Sequence, residues 1–213
     1  SYAVDPLGKI ASNPCEGIKR LYSTDRSEII WTDSDIAEFK AARTLQDKLA
    51  CPPELAHAVD LAAHTGLRLG DLIRLSWSHV QDDAIVLRTG KSKHQREAII
   101  PLYDDLRAIL DGIPKRATTI LTSARCKPWT ASGLSTAVQR AKAAAKWDER
   151  DLHFHDLRGT AATKFYIAGL SVRVIAEIMA WEEQTVEKII RRYVGRQAAT
   201  KAAIAELNSR KAR

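Results

Sequence analysis

Apolar residues fall into a regular rhythm only after residue 28. Before that point "DPLGKIASNPCEG" is rich in Pro, Gly and Ser, so residues 1–27 read as a tail and linker. In "IIWTDSDIAEF", Thr32 is placed to cap a helix, with Asp35 at its third position. Trp31 and Ile36 flank that cap at the staple positions. Ile36, Phe39, Ala42, Leu45 and Leu49 then recur at three- and four-residue steps, which predicts a helix through the whole stretch. Pro52 and Pro53 break it and start another. Leu55, Val59, Ala62 and Ala63 give that helix a buried face, and Gly66 ends it. A short helix over 68–76 follows.

The period then changes. "AIVLRTG" and "REAIIPL" are β-rich runs separated by "KSKHQ", the pattern of an antiparallel hairpin with a basic tip. Helical spacing returns over 103–111, 130–145, 157–167, 171–179 and 183–192, with "TILTS" (119–123) as a short extended piece. No internal repeat is present. The expected fold is mainly α with a small antiparallel β-sheet, an α+β arrangement.

Composition narrows the function. The chain has 213 residues, 45% of them hydrophobic, enough for one sizeable core. No apolar run reaches the ~18 residues that a membrane span needs. The N-terminal "SYAVDPLGKI" lacks the basic and apolar regions of a secretory leader. Cys15, Cys51 and Cys126 lie far apart with no CxxC pair, which argues against a zinc ribbon or disulfide framework and suits a reducing cytoplasm. A net charge of +7 favours a polyanionic partner such as nucleic acid.

Three stretches concentrate chemistry. In "HTGLRLGDLIRLSW" (64–77), Arg68 follows the helix-ending glycine, Leu72 and Leu75 bury the next helix, and Asp71 sits one turn on to orient the arginine. Taken alone, a surface Arg–Asp pair is the plainer reading. In "HDLRGTAATKFYIAGL" (155–170), His155 and Arg158 are three apart and face the same way at a helix start. Ala161, Ala162, Phe165 and Leu170 bury that helix. A capping histidine with an exposed arginine is the structural alternative, but it leaves the small residues after Arg158 unexplained. In "IMAWEEQTVEKIIRRYVGR" (178–196), Val186, Ile189 and Ile190 form an apolar face, and Tyr193 lies among Arg191, Arg192 and Arg196. By itself such a tyrosine is more simply a core or interface contact.

Together the three resemble the catalytic domain of the tyrosine recombinases, the phage integrase family. That family's order is an arginine in a T-G-L-R box, a lysine in a β-hairpin, H-x-x-R, then His or Trp, then tyrosine. Here the order is met by Thr65-Gly66-Leu67-Arg68, the 84–101 hairpin, His155-Asp156-Leu157-Arg158, Trp181 and Tyr193. The resemblance covers about residues 28–196. The twelve-residue step from Trp181 to Tyr193 is a few residues longer than the family's usual spacing.

The resemblance implies a site-specific recombinase that integrates or excises a phage or mobile element in the bacterial cytoplasm. Tyr193 would attack a DNA phosphodiester, giving a 3′-phosphotyrosine and a free 5′-hydroxyl. Arg68 and Arg158 would grip the phosphate oxygens, and His155 and Trp181 would add donors. A hairpin lysine would protonate the departing oxygen: Lys91 by its "TGKS" context, or Lys93 by an ungapped count back from Pro101. Asp71 and Asp156 would orient these groups. Lys93, His94, Arg96, Arg191, Arg192 and Arg196 would contact DNA. No metal or cofactor is implied, and the H-x-H of His153 and His155 lacks supporting ligand spacing. The implied partner is double-stranded DNA at attachment sites, bound as a homotetramer, with a possible accessory directionality factor. The rival activities are type IB topoisomerase-like relaxation and a catalytically silent DNA-binding module. Family members usually carry a separate N-terminal DNA-binding domain, and too little chain precedes residue 28 to form one. The implied division is a linker or domain end over 1–27, a catalytic domain over 28–196 and a helical tail over 197–213. Ala199, Ala203, Ile204 and Leu207 line one side of the tail, which would dock on a neighbouring protomer or on its own domain.

Overall fold

The structure is a computed structural model that describes residues 29–90, 96–147 and 149–193, together with residues 11, 12, 14 and 16. The side chains of Arg192 and Tyr193 lie outside that description, as do Cys15, Lys91, Lys93, His94, Arg196 and the expected tail over 197–213. Nearly all of the expected linker over 1–27 lies outside it too.

The order of elements is α1 (Asp33–Ala41), α2 (Pro53–Thr65), α3 (Leu69–Arg74), β1 (Ala84–Arg88), β2 (Glu97–Pro101), α4 (Asp104–Asp111), α5 (Ala131–Ala144), α6 (Leu157–Ile167), α7 (Val172–Met179) and α8 (Glu183–Tyr193). The fold is thus mainly α with one two-stranded antiparallel sheet, as the periodicity predicts. Helix α2 is central, packing against α1, α3, α4, α5 and α6. Its expected face, Leu55, Val59, Ala62 and Ala63, is fully buried. The hairpin pairs Ala84 with Pro101 through to Arg88 with Glu97. Along β2 burial alternates, so Ala98 and Ile100 enter the core while Glu97 and Ile99 face out.

The first helix is shorter than its apolar spacing predicts. The Thr32–Asp35 capping box forms as expected, but α1 stops at Ala41, and Leu45 is 90% exposed. The reason is local. The Thr44 hydroxyl accepts the N–H groups of Gln46 and Lys48, and Asp47 takes a left-handed conformation at φ 57°. That turn competes with helix and folds the chain back, so that Ala50 N–H reaches Ala42 O at 2.9 Å. "TILTS" forms only isolated bridges, Ser76 to Thr119 and Thr122 to Pro128. Cys51 and Cys126 are both free thiols. No helix of the described residues is long and apolar enough to cross a membrane.

Candidate active site

The T-G-L-R box is built by the end of α2. The buried Thr65 hydroxyl donates to Leu61 O at 2.6 Å and accepts Leu67 N–H at 3.3 Å, closing the last turn. Gly66 then takes φ +63°, which an L side chain resists. A Cβ there would meet Met179 Cε at 2.1 Å and Ala161 Cβ at 3.2 Å. The glycine therefore serves both the turn and the close approach of α6 and α7. Leu67 buries behind it, and Arg68 becomes the residue that opens α3.

Asp71 is 3% exposed, and although its N–H donates to Arg68 O at 2.8 Å, its carboxylate does not bond the Arg68 guanidinium. Its Oδ1 accepts Arg74 Nη2 at 2.6 Å and Gly90 N–H at 2.8 Å. The carboxylate thus ties α3 to the residue at the root of the hairpin loop. Its negative charge opposes the burial that lowers the Arg68 pKa. Gly90 was missed because its link to Asp71 is tertiary, 19 residues apart, whereas Arg74 lies one turn along α3 from Asp71, a local spacing that went unread.

The H-x-x-R stretch begins as a 3-10 turn, Phe154–Asp156, which leads into α6. Asp156 accepts His153 N–H at 2.7 Å and so fixes the turn. His155 precedes the helix rather than lying on it and is exposed, whereas Arg158 in the first turn of α6 is buried. The two therefore differ in burial, although their spacing predicts a shared face. A second fastening comes from the other end of the chain. Trp31 Nε1 donates to His153 O at 2.9 Å, Trp31 N–H donates to the Thr160 hydroxyl at 2.9 Å, and that hydroxyl donates to Trp31 O at 3.0 Å. Trp31 itself is packed edge-on against Phe39 with ring centres 5.2 Å apart.

Helix α7 ends at Met179; the next residue, Ala180, adopts φ 51°, and Trp181 N–H returns to Ala176 O at 2.8 Å. That bend sets the Trp181 ring 4.5 Å from the Arg158 guanidinium carbon. Arg158 Nε and Trp181 Nε1 are both shielded from solvent and have no hydrogen-bond partner among the described residues. Buried donors in folded proteins are nearly always paired, so two orphans side by side mark a place for an acceptor. Burial, then the nearby Arg68 guanidinium, pulls Arg158 down to about 9, with Asp71 opposing. Burial also lowers Arg68, opposed by Asp71 and reinforced by Arg96. Two neighbouring guanidinium groups taken partly out of water, still charged at neutral pH, form a site for an anion.

Helix α8 packs on α6 and α7 through Val186, Ile189 and Ile190, all buried as expected. It runs without interruption to Tyr193, so the long step from Trp181 is taken up as helix. Arg191 is exposed and lies 3.7 Å from Glu187. Arg96 stands before β2 and pairs with Glu182, a residue that carried no signal in the sequence. The described residues thus bring together Arg68, Asp71, Arg96, Arg158 and Trp181. No group of three or more potential metal-ligating side chains occurs among them.

A family model described as "Phage integrase family" matches residues 35–199. The chain belongs to the phage integrase family. A shufflon-specific DNA recombinase of Escherichia coli is 27% identical over 172 residues, which are 80% of this chain and 42% of that protein. The lambda integrase catalytic core is 25% identical at a TM-score of 0.57, covering 70% of this chain and 90% of that one. A lambda integrase dimer bound to a COC′ core site superposes with a TM-score of 0.64 over 88% of this chain and 54% of that chain; at 23% identity this likeness speaks for the fold. The chain spans about half the length of the curated relatives it matches, 42% to 54%.

Proposed function

We propose that this integrase-family chain is the catalytic part of a site-specific DNA recombinase, which cuts and rejoins DNA through a 3′-phosphotyrosine. The observation that carries the reading is the pair of partly desolvated arginines, Arg68 and Arg158, beside the orphaned N–H groups of Arg158 and Trp181. Their chemistry fits a phosphodiester. A tyrosine hydroxyl with an ordinary pKa near ~10 is a weak nucleophile at neutral pH. The attacked phosphate gains negative charge as a fifth oxygen joins phosphorus. Guanidinium forks on its non-bridging oxygens stabilise that charge more than they stabilise the ground state. The Trp181 indole adds a donor without adding a titrating group.

In this reading Tyr193 attacks phosphorus, the bond to the 5′ oxygen breaks, and the hairpin lysine, Lys91 in preference to Lys93, supplies that oxygen's proton. His155 assists proton removal from Tyr193. Asp71 and Asp156 hold the hairpin root and the turn before α6. Lys93, His94, Arg96, Arg191, Arg192 and Arg196 contact the duplex around the cut. Residues 28–196 form the catalytic domain, 1–27 the end of a preceding segment, and 197–213 a tail that links protomers of a tetramer on attachment-site DNA. An accessory factor sets direction, the recombinase acts in the bacterial cytoplasm, and neither metal nor cofactor takes part. The test is adduct trapping on a nicked duplex. Wild type should form a covalent DNA complex in EDTA, and Tyr193→Phe should form none. Adduct formation by Tyr193→Phe would remove the tyrosine from its role.

A further inference from the structure

Arg96 stands at the root of the hairpin, where its carbonyl accepts Thr89 N–H at 2.9 Å. Glu182 directly follows Trp181 and opens α8, its carbonyl accepting Thr185 N–H at 2.9 Å. Although 86 residues apart in sequence, the two side chains form an ion pair. It joins the hairpin to the helix that ends in Tyr193.

Two features bear on what this pair can do. First, it lies at the rim of the arginine site: Arg96 acts on the ionisation of Arg68, and Glu182 is next to the tryptophan stacked on Arg158. Second, both side chains are open to solvent, at 47% and 65% exposure, so a solute can reach them. A guanidinium fork accepts a carboxylate and a phosphodiester in the same manner, two N–H groups to two oxygens of one anion. Exposed ion pairs are weak and exchange readily.

We propose that in the DNA-free protein Glu182 occupies the place of a backbone phosphate on Arg96, and that duplex binding exchanges the carboxylate for that phosphate. Glu182 is then a built-in competitor. It lowers affinity for any duplex and holds the hairpin against the start of α8 until a phosphate displaces it. In wild type the exchange frees a carboxylate as it engages a phosphate, so the net release of counterions at Arg96 is small. Without the carboxylate, the same phosphate contact releases its counterion in full.

This inference rests on the recombinase reading, and one experiment separates the two. Binding of the full chain to a fluorescent duplex is measured across ~50–200 mM salt. Glu182→Gln should bind several-fold more tightly at low salt, and its log affinity–log salt slope should steepen by about 0.9, one added phosphate contact. Glu182→Ala should do the same. Adding Arg96→Gln to Glu182→Gln should return the slope to the wild-type value. Glu177→Gln makes the same charge change at an exposed pair with Arg173, 3.2 Å apart, and should leave the slope unchanged. The proposal is overturned if both Glu182 variants keep the wild-type slope, or if Glu177→Gln steepens it equally. A wild-type chain that binds no duplex at any salt overturns the recombinase reading itself, and this proposal with it.

Discussion

Arg150 and Arg158 each lay a guanidinium over a tryptophan, at 4.0 Å from the Trp147 ring and 4.5 Å from the Trp181 ring. Their surroundings are opposite. Arg150 is open to solvent and bonds both oxygens of Glu38, at 2.9 and 2.7 Å, with Asp35 at 3.5 Å. The Glu38 hydrogen bond holds it above its ordinary pKa. Arg158 is 5% exposed, has no carboxylate on it among the described residues, and is drawn down to about 9 by burial and Arg68. Stacking alone says little about role. What separates the two is whether the cation's donors are already satisfied. A saturated arginine clips α1 to the loop after α5. An unsaturated, buried one is a charge held in readiness for a ligand.

The strongest way to break this contrast is to remove both charges in turn. Arg158→Met keeps much of the volume and removes a buried, unpaired cation. Cleavage should fall by about 10³-fold or more, while thermal unfolding shows a gain of about 1–3 kcal/mol. Arg150→Met should leave cleavage unchanged and give no gain. If Arg158→Met lost stability instead, the arginine would be a structural residue and the contrast would fail.

An anion should also tell the two ends apart. Sulfate presents the same tetrahedral oxygens as phosphate. At ten times its Kd a ligand stabilises the folded state by about 1.4 kcal/mol, a shift of ~3–5 °C for a domain of this size. Wild type and Arg150→Met should show that shift, and Arg158→Met should lose it. An equal shift in all three would place the bound sulfate elsewhere.

The same contrast explains what the sequence disclosed. Features written within a few residues were legible: the Thr32–Asp35 cap, the Gly66 stop, the antiparallel hairpin and the buried faces of α2 and α8. So was the order of the family motifs, because each is a local box. Apolar spacing misled at Leu45 and Leu49, where a Thr44 side chain and a left-handed Asp47 ended the helix before the pattern ended. The supports of the site were not legible, since each spans the fold: Trp31 to His153, Asp71 to Gly90, Arg96 to Glu182. Nor could spacing say which of Arg150 and Arg158 is saturated, since Glu38 is 112 residues from Arg150.

A smaller effect probes the indoles. Trp181→Phe keeps an aromatic face on Arg158 and deletes the orphaned N–H. One neutral donor is worth about 1–1.5 kcal/mol, so cleavage should drop roughly tenfold. Trp147→Phe keeps the face under Arg150 and should leave cleavage as it was. Equal losses in both would mean that ring packing, and not the donor, is what the site needs.

The least effect belongs to the saturated end. Glu38→Gln replaces a charged fork with an amide, yet the Trp147 ring and Asp35 still hold Arg150. Water competes for exposed groups, and ordering two long side chains offsets most of the attraction. The melting temperature should move by no more than ~2 °C, and less at high salt. Cleavage and the sulfate shift should not move at all. The path by which they could is specific. Glu38 lies on α1, the residues just before α1 include Trp31, and Trp31 fastens both His153 and Thr160 beside Arg158. A lost sulfate shift in Glu38→Gln would therefore mean that the clip on Arg150 sets the position of Arg158 through Trp31. The two arginines would then be one coupled device rather than two opposites.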